Sequence, residues 1–158
     1  MRPHPLRIKQ NEENPMNREQ IKQILPHREP MLLVDEAYKN EDGTVTGKYT
    51  VKGDEFFLQG HFPGNPIVPG VILCEMAAQS ACMLMSDGLQ GKTTLYAGMN
   101  NVKFKNPVRP GDTVEFTCTH IRSVGPIHFI KAEGKNGGKT AVIGEFSFAL
   151  VDSEKVKV

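Results

Sequence analysis

Residues 59–70 read QGHFPGNPIVPG and residues 71–85 read VILCEMAAQSACMLM, and the boundary between the two runs decides the fold. Half of the first run is Gly or Pro, which predicts a stiff, irregular loop and neither helix nor strand. From Val71 onward Gly and Pro are absent, helix formers take over, and Glu75 is the one charged residue. Apolar side chains fall on every face of such a helix, the pattern of a helix buried all round. Fifteen residues are too few to span a bilayer, so the run predicts a core helix. Pro69 and Gly70 stand where it begins, and the N–H that Pro lacks is one that a first helical turn leaves unpaired.

The rest of the chain suits a protein built on one core. Its 158 residues are enough for a single domain. Charged residues make up 23% and hydrophobic ones 39%, the balance of an ordinary soluble protein. A net charge of +1 gives no general attraction to nucleic acid or to a membrane surface, and neither is expected as a partner. No segment has signal-peptide character or transmembrane length. Cys74 and Cys82 lie eight residues apart on the expected helix, about 12 Å along its axis and too far for a disulfide. No Cys or His spacing suggests zinc. No metal or cofactor is therefore expected, and Cys74, Cys82 and Cys118 read as reduced thiols of a cytoplasmic protein.

Outward from the helix the chain divides simply. Residues 1–16 are polar and read as a flexible arm, 17–152 as the domain, and 153–158 as a tail that frays. Asn17 and Gln20 form a capping pattern for a short helix over about residues 18–25, stopped before Pro26. Residues 31–38 and 45–51 read as strands about the turn Glu41-Asp42-Gly43. Beyond the central helix, residues 94–104 read as a strand. Val114, Phe116 and Cys118 alternate with Thr113, Glu115, Thr117 and Thr119 as a half-buried strand, which puts His120 on its apolar face. Residues 127–134 and 140–150 pair through Asn136-Gly137-Gly138. A long apolar helix among antiparallel strands requires a curved sheet wrapped around it, an α+β architecture.

Glu75 is the informative residue. A carboxylate in apolar surroundings must be hydrogen-bonded, paired or protonated. Burial is expected to raise its pKa, which suits a proton donor near neutral pH. His61, in the rigid loop just before the helix, is of the type that serves as base at that pH. The residues alone leave two readings open: an acid/base pair, or a Glu satisfied by a neighbour with His61 shaping the loop. His27 and Arg28, after the first helix, read as loop hydrogen-bonding residues.

The run GHFPGNPIVPGVILCEMAAQ, residues 60–79, resembles the signature of the β-hydroxyacyl-acyl carrier protein dehydratases of type II fatty acid synthesis, the FabZ family. ILPHREPMLLVDEA, DEFFLQGHFPG and VKFKNPVRPGDTV resemble further family blocks in the family's order, so the resemblance covers roughly residues 21–150. One departure is Glu29, where the family usually has an aromatic residue. The resemblance implies the hot-dog fold, with homodimers joined edge to edge and assembled as trimers of dimers. It implies a hydro-lyase that converts (3R)-3-hydroxyacyl-acyl carrier protein to the trans-2-enoyl product.

On that resemblance His61 takes the C2 proton, Glu75 assists loss of the C3 hydroxyl, and the Gly70 N–H receives the thioester oxygen. Gln79, one turn after Glu75, either orients that carboxylate or its water, or simply packs. Phe62, Ile67, Val68, Met99 and Phe104 are candidates to line an acyl tunnel, with Tyr96 near its mouth. Lys103, Lys105 and Arg109 are candidates to receive the acidic carrier protein. The isomerase branch of the family has Asp where Glu75 stands, which favours a dehydratase alone. A dehydratase of a secondary polyene or polyketide pathway and a non-catalytic acyl-thioester-binding hot-dog protein remain as alternatives.

Overall fold

The computed structural model describes residues 10–89 and 91–156. Its strands are β1 (Glu36–Lys39), β2 (Val45–Thr50), β3 (Lys92–Phe104), β4 (Thr113–Val124), β5 (Ile127–Asn136) and β6 (Lys139–Asp152). They form one antiparallel sheet in the order β1-β2-β4-β5-β6-β3. Gly137 and Gly138 carry φ of 57° and 82° at the turn between β5 and β6, a geometry that side chains with a Cβ resist. β3 enters after the central helix, pairs only with β6, and is left as an edge.

The central helix α2 spans Gly70–Cys82 and continues as a 3-10 turn over Met83–Gly88. Pro69 is its N-cap, one position ahead of the expected first turn. Leu73, Cys74, Met76, Ala77, Ala78, Ala81 and Cys82 are all buried, as the unbroken apolar run requires. The helix touches β2, β3, β4, β5 and β6. A flat sheet cannot meet one helix with so many strands, so the sheet curls around it. The approach is tight at Gly47 of β2, where a Cβ would lie 2.3 Å from Ser80 Oγ. Only Gly lets the helix sit there.

Several local expectations change. The first helix, α1, covers Arg18–Ile21 and stops short of residue 25. Asn17 and Gln20 form the expected capping box, but Gln23 and Ile24 then bond three residues back and tighten the chain into turns. β1 begins at Glu36, not at 31, because the Leu33 N–H and the Met31 carbonyl are engaged by the side chain of Gln79. β4 alternates buried and exposed as expected up to Thr119. His120, read as a core or interface residue, is exposed in this chain and so not core, where the β4–β5 register slips between His120 and Arg122.

Of the expected arm, residues 1–9 lie outside the described residues, while Met16 is buried and bridges to Ala37. Of the expected frayed tail, Ser153–Val156 instead forms a 3-10 turn, with the Ser153 N–H on Gly91 O at 3.0 Å. Residues 157 and 158 lie outside the described residues.

Candidate active site

The loop before α2 is tied down by its own backbone. Ile67 N–H bonds His61 O at 2.8 Å, Asn65 and Phe62 bond each other, and Val68 N–H reaches Val108 O at 2.9 Å. Arg109 adds a side-chain bond to Asn65 Oδ1 at 2.6 Å. This frame fixes the half-buried His61, whose Nδ1 lies 2.8 Å from Ile67 O and whose ring stacks on Phe62 at 4.3 Å. A carbonyl only accepts, so Nδ1 carries the hydrogen and Nε2 of the neutral ring holds the lone pair. That tautomer leaves Nε2 as the proton acceptor of the ring.

Glu75 projects from α2 into a cavity of about 500 Å³ walled by the loop after α1, by α2 and by β3. Its Oε1 accepts the Gln79 amide at 3.0 Å and lies 3.5 Å from His27 Nε2. Burial pushes the carboxyl up, but His27 and Gln79 outweigh it, and the group lies below its ordinary value. The expectation that burial raises Glu75 is corrected: the two donors dominate in this chain. Gln79 does more than pack. With 1% of its surface exposed, it accepts the Leu33 N–H at 2.7 Å and donates to Met31 O at 2.7 Å, so both ends of its amide are used.

Within one chain the expected site residues fall into separate groups. No hydrogen bond or ion pair joins His61 to Glu75, and His61 does not line the Glu75 cavity. Tyr96 does line it, with its hydroxyl on Cys74 O at 3.2 Å and its ring against Phe148. Ile67 is half-buried, Val68 is buried, and Phe62, Met99 and Phe104 are exposed; none of the five lines the cavity. The Phe104 ring stands 3.0 Å from where a Gly70 Cβ would be, so a larger residue at the helix start would have to push this exposed ring aside. The Gly70 N–H has no backbone acceptor among the described residues, as befits a first turn. Lys103, Lys105 and Arg109 are exposed.

The sequence reading missed His27 as a neighbour of Glu75. Arg28 behaves as expected, with its guanidinium on the carbonyls of Lys22, Leu25 and His27. His27 does not: among the described residues its ring meets Glu75 instead. The available signal was its place in the family-like block of residues 24–37.

Comparison with solved structures defines the class. The dehydratase heterocomplex ApeI:P from Xenorhabdus doucetiae aligns with a TM-score of 0.73 at 18% identity, over 86% of this chain and 93% of that one. The fluoroacetyl-CoA thioesterase FlK aligns with a TM-score of 0.63 at 16% identity, over 71% and 87%. The fold is the hot-dog fold. In sequence, a family model described as ApeI-like, ApeI dehydratase, matches residues 37–143. A 3-hydroxyacyl-[acyl-carrier-protein] dehydratase FabZ of Clostridium perfringens is 42% identical over 137 residues, covering 85% of this chain and 99% of the relative. A FabZ of Streptococcus pneumoniae is 41% identical, covering 82% and 94%. The chain belongs to the FabZ family of dehydratases.

Proposed function

We propose that the chain dehydrates (3R)-3-hydroxyacyl-acyl carrier protein to the trans-2-enoyl product, as a cytoplasmic hydro-lyase of type II fatty acid synthesis. The observation that carries the reading is Glu75, a carboxylate held by one oxygen at the wall of a cavity large enough for a small organic ligand. His61 Nε2 takes the C2 proton. The electron pair moves onto the thioester as an enolate, whose oxygen accepts the Gly70 N–H at the positive end of α2. Glu75 gives its proton to the C3 hydroxyl, the C–O bond breaks, water leaves, and the enolate pair closes the C2=C3 double bond. His61 is left protonated and Glu75 ionised. One proton passed from imidazolium to carboxylate restores both.

His61 lies outside the cavity of its own chain, so a second copy completes the pair and the working form is a homodimer. The edge strand β3 supports this, because Leu95, Tyr96 and Met99 are 42%, 40% and 56% exposed along it. Such an edge invites another chain. Phe62, Ile67, Val68, Met99 and Phe104 then line the acyl tunnel beside Tyr96, and Lys103, Lys105 and Arg109 meet the carrier protein. Dimers group as trimers, which analytical ultracentrifugation reads directly. The ApeI-like match favours one second reading, a dehydratase of a polyene-type secondary pathway. Turnover across acyl lengths separates the two.

The primary test follows enoyl formation from 3-hydroxybutyryl-carrier protein; folded protein that binds the thioester without forming enoyl product would sink the proposal. The two-chain site is tested by co-refolding His61→Ala with Glu75→Gln subunits. With random pairing half the dimers are mixed, and half of their sites take neither defect. About a quarter of wild-type activity then returns from two inactive parents. A mixture that exchanges subunits yet stays inactive places both residues in one chain's site.

A further inference from the structure

One side chain beside Glu75 has no part in the proposed reaction. His27 Nε2 stands 3.5 Å from Glu75 Oε1, the same oxygen that accepts the Gln79 amide. Oε2 of Glu75 has no hydrogen-bond partner among the described residues. The other ring nitrogen of His27, Nδ1, is buried with no partner. A histidine that merely held its loop would bond backbone there, as His61 does.

The other ionisable groups around this cavity are already engaged. Lys22, beside His27, pairs with Glu19 and Glu29. Arg28 is on three backbone carbonyls, and Lys92 of β3 pairs with Asp152. Tyr96 of β3 donates to Cys74 O, and burial holds the Cys82 thiol of α2 in its neutral form, pushed up to about 12. His27 and Gln79 are therefore the donors that Glu75 has.

We propose that His27 is a positioning residue for Glu75: together with Gln79 it pins Oε1, so that Oε2 is the oxygen presented to the substrate hydroxyl. This rests on the reading of Glu75 as the acid. Two donors on one oxygen oppose the rotation that would exchange the pair. A separation of 3.5 Å is longer than a full hydrogen bond, and catalytic contacts of this kind tighten when substrate fills the site. The net lowering of Glu75 against its own burial agrees with the geometry.

The test uses three variants of the full chain. His27→Gln keeps an N–H where Nε2 stands, His27→Asn holds the same amide one methylene short, and His27→Ala has no donor. The Gln variant should turn over within about threefold of wild type. The Asn and Ala variants should lose roughly 10- to 100-fold in kcat at nearly unchanged KM, as for loss of a charge-assisted bond made at the reacting group. Carbon-13 NMR titration of the Glu75 carboxyl, assigned by its absence in Glu75→Gln, supplies a readout that a structural role leaves still. The pKa should rise in the Asn and Ala variants and return toward wild type with Gln. If the Ala variant does not fold, the Gln–Asn pair carries the test alone. Equal turnover and equal titration in folded Gln and Asn variants would overturn the proposal. A fully active Glu75→Gln enzyme would instead overturn the role of Glu75 itself.

Discussion

Gln79→Leu removes one amide that joins three parts of the molecule. The side chain, 1% exposed, holds the Leu33 N–H, Met31 O and Glu75 Oε1 at 2.7, 2.7 and 3.0 Å. Leu is close in size, so packing is largely kept and the polar loss stands alone. The Leu33 N–H is then buried without an acceptor, at about 1–3 kcal/mol. Met31 is 40% exposed and its carbonyl can turn toward water, so it adds about 1 kcal/mol. Together these make about 2–4 kcal/mol, a large part of the roughly 5–15 kcal/mol that holds a domain folded. At about 2–4 °C per kcal/mol for a chain of this size, Tm falls by roughly 5–15 °C. Urea titration at fixed protein concentration should show a lower midpoint at unchanged slope. Gln79→Glu separates the parts, because it still accepts from Leu33 yet offers no donor to Met31 or Glu75 and sets a like charge one turn from Glu75. A Gln79→Leu protein with the wild-type midpoint would refute the claim that this amide fastens residues 31–33 to α2.

His61→Ala should lower kcat/KM by roughly 10²- to 10⁴-fold with Tm little changed, and the wild-type profile should fall on its acid side through one ionisation. Because the folded Glu75 carboxyl lies below its ordinary value, the stability it contributes is full above the unfolded carboxylate pKa and is lost as pH falls through the lower folded value. Glu75→Gln should flatten that acid-side loss, read as urea midpoints taken from about pH 6 to about pH 3. Gly47→Ala drives a Cβ into Ser80 and should cost about 1–3 kcal/mol by overpacking, with Ser80→Gly in the same chain restoring part of it.

What could be read without coordinates is what neighbouring residues decide among themselves. The change at residue 70 from Gly/Pro loop to apolar helix, the alternation along β4 and the paired glycines at 137 and 138 are of this kind. The strand expected from residue 31 failed because the backbone partner of Leu33 is a side chain 46 residues away. His27 was taken for a loop residue because the contact that distinguishes it from Arg28 lies across the fold, on Glu75. The direction of the Glu75 shift was misread for the same reason. Burial follows from the apolar run, whereas the donors that outweigh it come partly from another segment.

The opposed influences on Glu75 bear on the proposed sharing of the site between chains. In the open cavity the two donors draw the Glu75 carboxyl below its ordinary value, against its own burial. Burial acts in the other sense, and it can still be added along β3, where Tyr96 both walls the cavity and stands 40% exposed on the edge strand. In the proposed dimer a second copy seated on that edge adds to the burial of Glu75 and, in the same step, delivers the proposed base His61. Separation reverses both effects at once. The isolated chain then lacks both that added burial and the partner's proposed base, so specific activity should fall to zero with the dimer fraction on dilution. A monomer that kept half the activity per chain would show that closure does neither.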